Sequence, residues 1–201
     1  MKLFTKVPND IYIACSGGVD SMVMVDFYRK GRKNIELLFM DHGTETSKEA
    51  REFLVKFSES NNIKLHIGGI INEYDTNLSK EEYWRNERYN FFKKFTDKPI
   101  IMAHHLGDQI ENWVMTALHG YPKLIPPRNG NIVRPFVLVY KEEILDYAKR
   151  KNLQWCEDKS NADIKYVRNR VRHNIIPECL KIQQGLGTVI SKIIIEKFKN
   201  D

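Results

Sequence analysis

The chain has 201 residues, 42% hydrophobic and 29% charged, which fits one folded domain or one domain with a small appendage. No apolar run reaches the ~20 residues that span a bilayer, and the start, Met1-Lys2-Leu3-Phe4-Thr5-Lys6, lacks a signal-peptide core, so a cytoplasmic protein with no membrane partner is expected. The net charge of +6 points to a polyanionic partner if the charge is clustered, and three widely spaced cysteines argue against a disulfide framework or a paired-cysteine metal site.

In chain order, apolar runs with β-branched residues predict strands at Ile11–Cys15, Ile35–Met40, Ile63–Ile67 and Pro99–Ala103. Helical spacing between them predicts a helix from near Val19, a second holding Phe53, Leu54 and Phe57, and a third holding Tyr89, Phe92 and Phe95. Ile110, Val114, Ala117 and Leu118 fit a fourth. HGYPKLIPPRNGN then breaks the pattern with Pro122, Pro126, Pro127 and Gly130, before a short strand at Ile132–Val133 and a helix from about Lys141 to Lys151. The end of the chain reads as one amphipathic helix whose Val189, Ile190, Ile193 and Ile194 pack on the core or form the seam of a homodimer. The alternation implies an α/β fold: an open, doubly wound parallel sheet of about five strands with helices on both faces, plus a small helical C-terminal extension. Residues 1–135 are expected to form the main domain and residues 136–201 the extension.

Between the first strand and the first helix stands Ser16-Gly17-Gly18-Val19-Asp20-Ser21. Glycines there let the backbone approach a ligand, and the free N–H groups of a starting helix favour an anion. Ser16 and Ser21 add hydroxyl donors, and Asp20 offers a carboxylate to a phosphate-bound metal ion. A plain strand–turn–helix link would need glycine alone. The stretch is neither a GxxxxGK[ST] loop nor a GxGxxG fingerprint.

SGGVDS resembles the pyrophosphate-binding loop of the PP-loop ATPases, which cleave ATP between its α- and β-phosphates to adenylate a substrate. Further stretches resemble the lysidine synthetases among them. In FMDHGTETS, Asp41-His42-Gly43 is similar to the family's DHG, which implies that Asp41 and His42 contact adenosine. EEYWRNERYNFF is similar to its E…AR..RY..F helix, which implies roles for Arg85 or Arg88 at phosphate or substrate and for Glu81 or Glu82 beside the incoming amine. AHHLGDQIEN resembles AHHxDDQxET, with His104, His105, Asp108, Gln109 and Glu111 matching; Gly107 replaces an aspartate and Asn112 a threonine. EDKSNADIKYVRNRVRHNIIP resembles the family's EDxSN…RNxxR…P segment.

Lys165, Arg168, Arg170, Arg172 and His173 fall within nine residues there. Lys165, Tyr166, Arg168, Asn169, Arg170 and Arg172 form the expected RNA-binding segment, with cations for phosphates and Tyr166 and Trp155 as rings for unpaired bases, against the competing reading of a merely hydrated basic face. Asp158, Ser160 and Asn161 are expected to cap it. The resemblance implies ATP and Mg²⁺ as cofactors, with Asp20 and Asp108 as metal ligands, and tRNA(Ile) with a CAU anticodon and free L-lysine as partners. It assigns catalytic parts to Asp20, Asp41, Glu82, Arg85, Arg88, His105 and Asp108, and nucleotide contacts to residues 16–21, Asp41, His42 and His104. Its expected outcome is lysidine at cytidine 34. The alternatives are another PP-loop tRNA ligase or thiolase, or a catalytically weak tRNA-binding decoy. The chain is short for the family, so a form without the usual C-terminal domains is expected.

Overall fold

The structure, a computed structural model, describes residues 1–74, 76–157 and 165–199. Two compact units divide it: one holds Val7–Met102 with Lys151–Glu157, the other Met1–Lys6, Ala103–Arg150 and residues 165–199. This differs from the boundary expected after residue 135. Residues 151–157 return to the first unit, where the Cys156 N–H donates to the Gly17 carbonyl at 2.9 Å.

In the first unit, β1 (Asp10–Ala14), β2 (Asn34–Asp41), β3 (Lys64–Gly69) and β4 (Ile100–Ile101) form a parallel sheet ordered β3-β2-β1-β4. Ile13 lies opposite Leu37 on one side and Ile101 on the other. Ile11, Tyr12 and Ile13 are consecutively buried. A strand covered on both faces reads as an unbroken apolar run, which is why β1 was visible in the sequence. The helices between strands are α1 (Val19–Lys30), α2 (Glu45–Asn61) and α3 (Lys80–Phe92). Thr44 and Ser47 cap α2 reciprocally, and Asn62 ends it in the left-handed region at φ 52°. Helix α3 stops at Phe92, three residues before the predicted Phe95. Phe95 instead joins a ring cluster, with centroids 5.0 Å from Tyr12 and 5.1 Å from Phe91.

The second unit contains α4 (Leu106–Leu118), a two-residue hairpin of β5 (Arg128–Asn129) with β6 (Ile132–Val133), and α5 (Lys141–Arg150). Beyond these lie α6 (Val167–Arg170), a π-helical segment at Val171–Ile175, α7 (Ile176–Ile182) and α8 (Leu186–Lys197). Strand β5 was not expected; two polar residues in a proline- and glycine-rich run carry no period to read. The core of this unit gathers Leu106, Ile110, Val114, Val137, Ile190 and Ile194, with Ile193 packed against it. Ile190 and Ile194 share the buried stripe at a spacing of four, whereas Val189 is 41% exposed. The apolar face of α8 therefore covers the core. Among the described residues no helix is long and apolar enough to cross a membrane.

Candidate nucleotide and nucleic-acid site

Chain direction at the end of β1 is set by Gly17, whose φ of +82° favours glycine over any residue with a Cβ. Gly18 precedes α1 in an extended conformation, and no side chain caps that helix start among the described residues. The start of this 12-residue helix, the positive end of its dipole, lies directly after the loop. The Ser21 hydroxyl donates to the Gly18 carbonyl at 2.8 Å, and the Ser16 and Ser21 oxygens are 3.5 Å apart. Val19 and Asp20 occupy the first turn of α1, both half-buried. Cys15 is buried and its thiol pushed up by burial, so it stays protonated and serves the core.

Asp41 closes β2. Its Oδ1 accepts the Gly43 N–H at 2.9 Å and the Ser47 hydroxyl at 2.6 Å, while Arg51 lies 3.6 Å from Oδ2. Burial works against the charge, but those hydrogen bonds and Arg51 outweigh it and hold the carboxyl below its usual value. Such an acid is a weak proton acceptor and a good brace for its own turn. His42 is neutral: burial first, then the Arg88 guanidinium, lowers it to about 4. Its ring tilts 35° against Trp84 at 5.5 Å, and its buried Nδ1 has no hydrogen-bond partner among the described residues.

On α3 the Arg85 guanidinium lies over its own helix's Tyr89 ring at 4.8 Å, whereas Arg88 is half-buried and its charge acts on His42. Glu81 and Glu82 are both exposed in the first turn, which Ser79 caps through the Glu82 N–H. The acid that α3 buries is Glu87. It accepts the N–H groups of Ile71 and Asn72 at 3.0 and 3.3 Å and is held charged by them. Its position among charged neighbours in the sequence gave no sign of this.

In the second unit His104 and His105 diverge. His104 Nδ1 accepts from Arg134 Nε at 3.2 Å, and Arg134, 1% exposed, also donates to the Pro126 carbonyl at 2.8 Å. His105 caps α4: its Nδ1 accepts the Gly107 N–H at 3.0 Å, and Asp108 accepts the His105 N–H at 2.9 Å. A Cβ on residue 107 would lie 2.7 Å from the His105 ring. In this chain the capping ring packs against Gly107, so a side chain there would require the ring to shift.

Asp108 is held well below the ordinary carboxylate range, since His105, His104 and Arg168 outweigh its burial. Arg168 donates to Asp108 Oδ1 at 2.9 Å and to Glu111 at 2.7 Å; Arg172 donates twice to Glu111, at 2.5 and 3.0 Å. Glu111 is 3% exposed, and a buried carboxylate needs such partners. The two arginines expected to face RNA phosphates thus face internal acids in this structure. Lys165 and Arg170 stay exposed, Tyr166 is half-buried and Asn169 is buried, while Asp158, Ser160 and Asn161 lie outside the described residues. As a test of magnesium, the donor sets differ: Asp20 stands beside the loop with a hard oxygen ligand, whereas both Asp108 oxygens already serve a backbone N–H and a guanidinium. Asp108 therefore does not fit the ion, and Asp20 offers the kind of oxygen that magnesium takes.

A glycine-bearing bend and uncapped helix start at the end of a parallel strand define an α/β protein of the phosphate-binding kind. The family profile of the PP-loop domain matches residues 2–179, and the chain belongs to that family. A Thermotoga relative (strain RQ2) is 32% identical over 200 residues, covering 92% of this chain and 48% of that protein. One from Exiguobacterium sibiricum is 27% identical over 186 residues, covering 87% and 44%. Both are named tRNA(Ile)-lysidine synthase, and this chain spans about half their length. Of solved structures, the U34-tRNA thiolase NcsA of Methanococcus maripaludis aligns with a TM-score of 0.72 at 18% identity, over 98% of this chain and 74% of its own. The NH3-dependent NAD synthetase of Campylobacter jejuni gives 0.53 at 17% identity, over 98% and 86%. These two likenesses are of fold.

Proposed function

We propose that the chain ligates lysine to C2 of cytidine 34 in a CAU-bearing tRNA(Ile) through an adenylated cytidine. The observation that carries this reading is the bend at Ser16–Ser21, with its φ of +82° at Gly17 and its uncapped α1, in a chain whose relatives are named tRNA(Ile)-lysidine synthase. ATP lies with its phosphates on the loop N–H groups and the hydroxyls of Ser16 and Ser21. The cytosine O2 attacks the α-phosphorus, the bond to the β-phosphate oxygen breaks, and pyrophosphate leaves. The ε-amine of lysine, having lost a proton, attacks C2 and expels AMP. Mg²⁺ held by Asp20 would neutralise charge developing on the departing pyrophosphate.

The remaining residues position. Asp41 braces the turn that presents His42 toward adenosine, and burial, with the Arg88 charge, keeps His42 neutral. Arg85 remains a candidate for substrate phosphate, and Glu81 or Glu82, exposed and unburdened by burial, suits the lysine amine better than Asp41. His104, His105 and Asp108 form a set fixed by Arg134, Gly107 and Arg168. Lys165, Tyr166 and Arg170 are the members of the basic segment best placed to meet RNA, and Asn169 supports them from the core.

The test is incorporation of radiolabelled lysine into a CAU transcript in the presence of ATP. Label dependent on cytidine 34 supports the ligase. No label despite tight tRNA binding would favour a binding protein, and label that survives replacement of cytidine 34 would sink the proposed target. Asp20→Ala is expected to leave tRNA affinity nearly intact and abolish pyrophosphate release.

A further inference from the structure

Gln109, Asn112 and Thr116 lie at spacings of three and four along α4, and so share one face. All three bind the chain that returns after the helix. Gln109 donates to the Ile125 carbonyl at 2.7 Å and accepts the Ile125 N–H at 2.9 Å. Asn112 Nδ2 donates to the Lys123 carbonyl at 2.7 Å, and the Thr116 hydroxyl accepts the Lys123 N–H at 2.7 Å. The Thr116 carbonyl takes the Tyr121 N–H at 3.1 Å. A loop with no regular structure is thereby fixed almost as a strand would be. Asn112, where the family pattern has threonine, supplies one of its anchors.

What this held loop turns outward is specific. Tyr121 is 74% exposed, and Lys123, two residues on, is exposed as well. Residues 112–141 contain no aspartate or glutamate, while Lys123, Arg128, Arg134 and Lys141 are all cations and only Arg134 is buried. An exposed ring on a fixed backbone in an acid-free, cationic stretch has the chemistry of a single-stranded RNA contact: a π-face for an unpaired base and a cation for its phosphate. A folded protein partner would gain from the ring but not from the lack of acids.

We propose that the Tyr121–Lys123 loop is a contact surface for single-stranded RNA, with Tyr121 as the stacking platform and Lys123 as a phosphate contact. This rests on RNA being the substrate, as in the proposed function, and deepens it by naming where an unpaired base is met.

The test measures binding of a fluorescent CAU anticodon stem-loop, and of a fully paired RNA of equal length, by the whole chain and its variants. Tyr121→Ala is expected to weaken stem-loop binding about 5- to 150-fold and to leave the paired RNA unchanged. Tyr121→Phe, which keeps the ring, restores affinity. Lys123→Ala is expected to flatten the salt dependence by about 0.7 to 0.9 of a unit. Unchanged stem-loop affinity in Tyr121→Ala, or equal loss on both RNAs, overturns the stacking platform, and an unchanged salt slope in Lys123→Ala overturns the phosphate contact. A wild-type chain that binds the stem-loop through Tyr121 yet incorporates no lysine would refute the ligase and leave this surface standing.

Discussion

Glu111→Ala removes the acceptor of two guanidiniums at once. Glu111 is 3% exposed and takes bonds of 2.7 Å from Arg168 and of 2.5 and 3.0 Å from Arg172. Breaking a buried ion pair by deleting one partner costs about 3–5 kcal/mol. Both arginine side chains are 33% exposed, so water recovers part of their charge and places the loss near the lower end, about 3 kcal/mol. Arg172→Ala leaves Glu111 with Arg168 and should cost less, about 1.5–3 kcal/mol for charge-assisted bonds. Urea unfolding reads both as a fall in midpoint at constant slope, against a total stability of about 5–15 kcal/mol. The same variants distinguish clamp from RNA contact. A clamp residue changes the midpoint and leaves the salt slope of tRNA binding alone. A phosphate contact lowers that slope by about 0.7–0.9 and, lying on the surface, changes stability by no more than about 0.5 kcal/mol. Arg172→Ala with wild-type stability and a flattened slope would refute the clamp.

Two other consequences follow from the first unit. His42 is depressed to about 4, so it favours the fold in its neutral form. That contribution is complete above its ordinary value of about 6.5 and is lost as pH falls from there toward 4. His42→Gln should flatten the stability–pH profile in this window, and an unaltered slope would show that the imidazole is not kept neutral. Gly17→Ala forces a Cβ into φ +82° and should cost about 1–2 kcal/mol in thermal or urea unfolding, together with a loss of ATP-dependent pyrophosphate release. Full activity in that variant would mean the bend does not need glycine.

Much of the site is local, and so it could be read. Ser16–Ser21 follows a buried strand and opens a helix, and both signals are carried by neighbours in sequence. The same holds for Asp41-His42-Gly43 and for Asp108 as a first-turn acid of α4. The partners were not legible. Arg168 and Arg172 look like a basic face because their acids stand 57 to 61 residues earlier, and Glu87 looks like one more exposed helix charge until residues 71 and 72 fold onto it. That the His105 ring packs against Gly107 is likewise visible only in the fold.

By itself the sequence determined the α/β alternation, the parallel strands β1 to β4 and the glycine-bearing bend at Ser16–Ser21, because hydrophobic period and backbone permissiveness depend on residues a few positions apart. Only the tertiary structure decided which charges are spent internally and which remain for a ligand. A carboxylate in the core must be met by whatever cation the fold brings to it, and that meeting is between residues far apart in the chain.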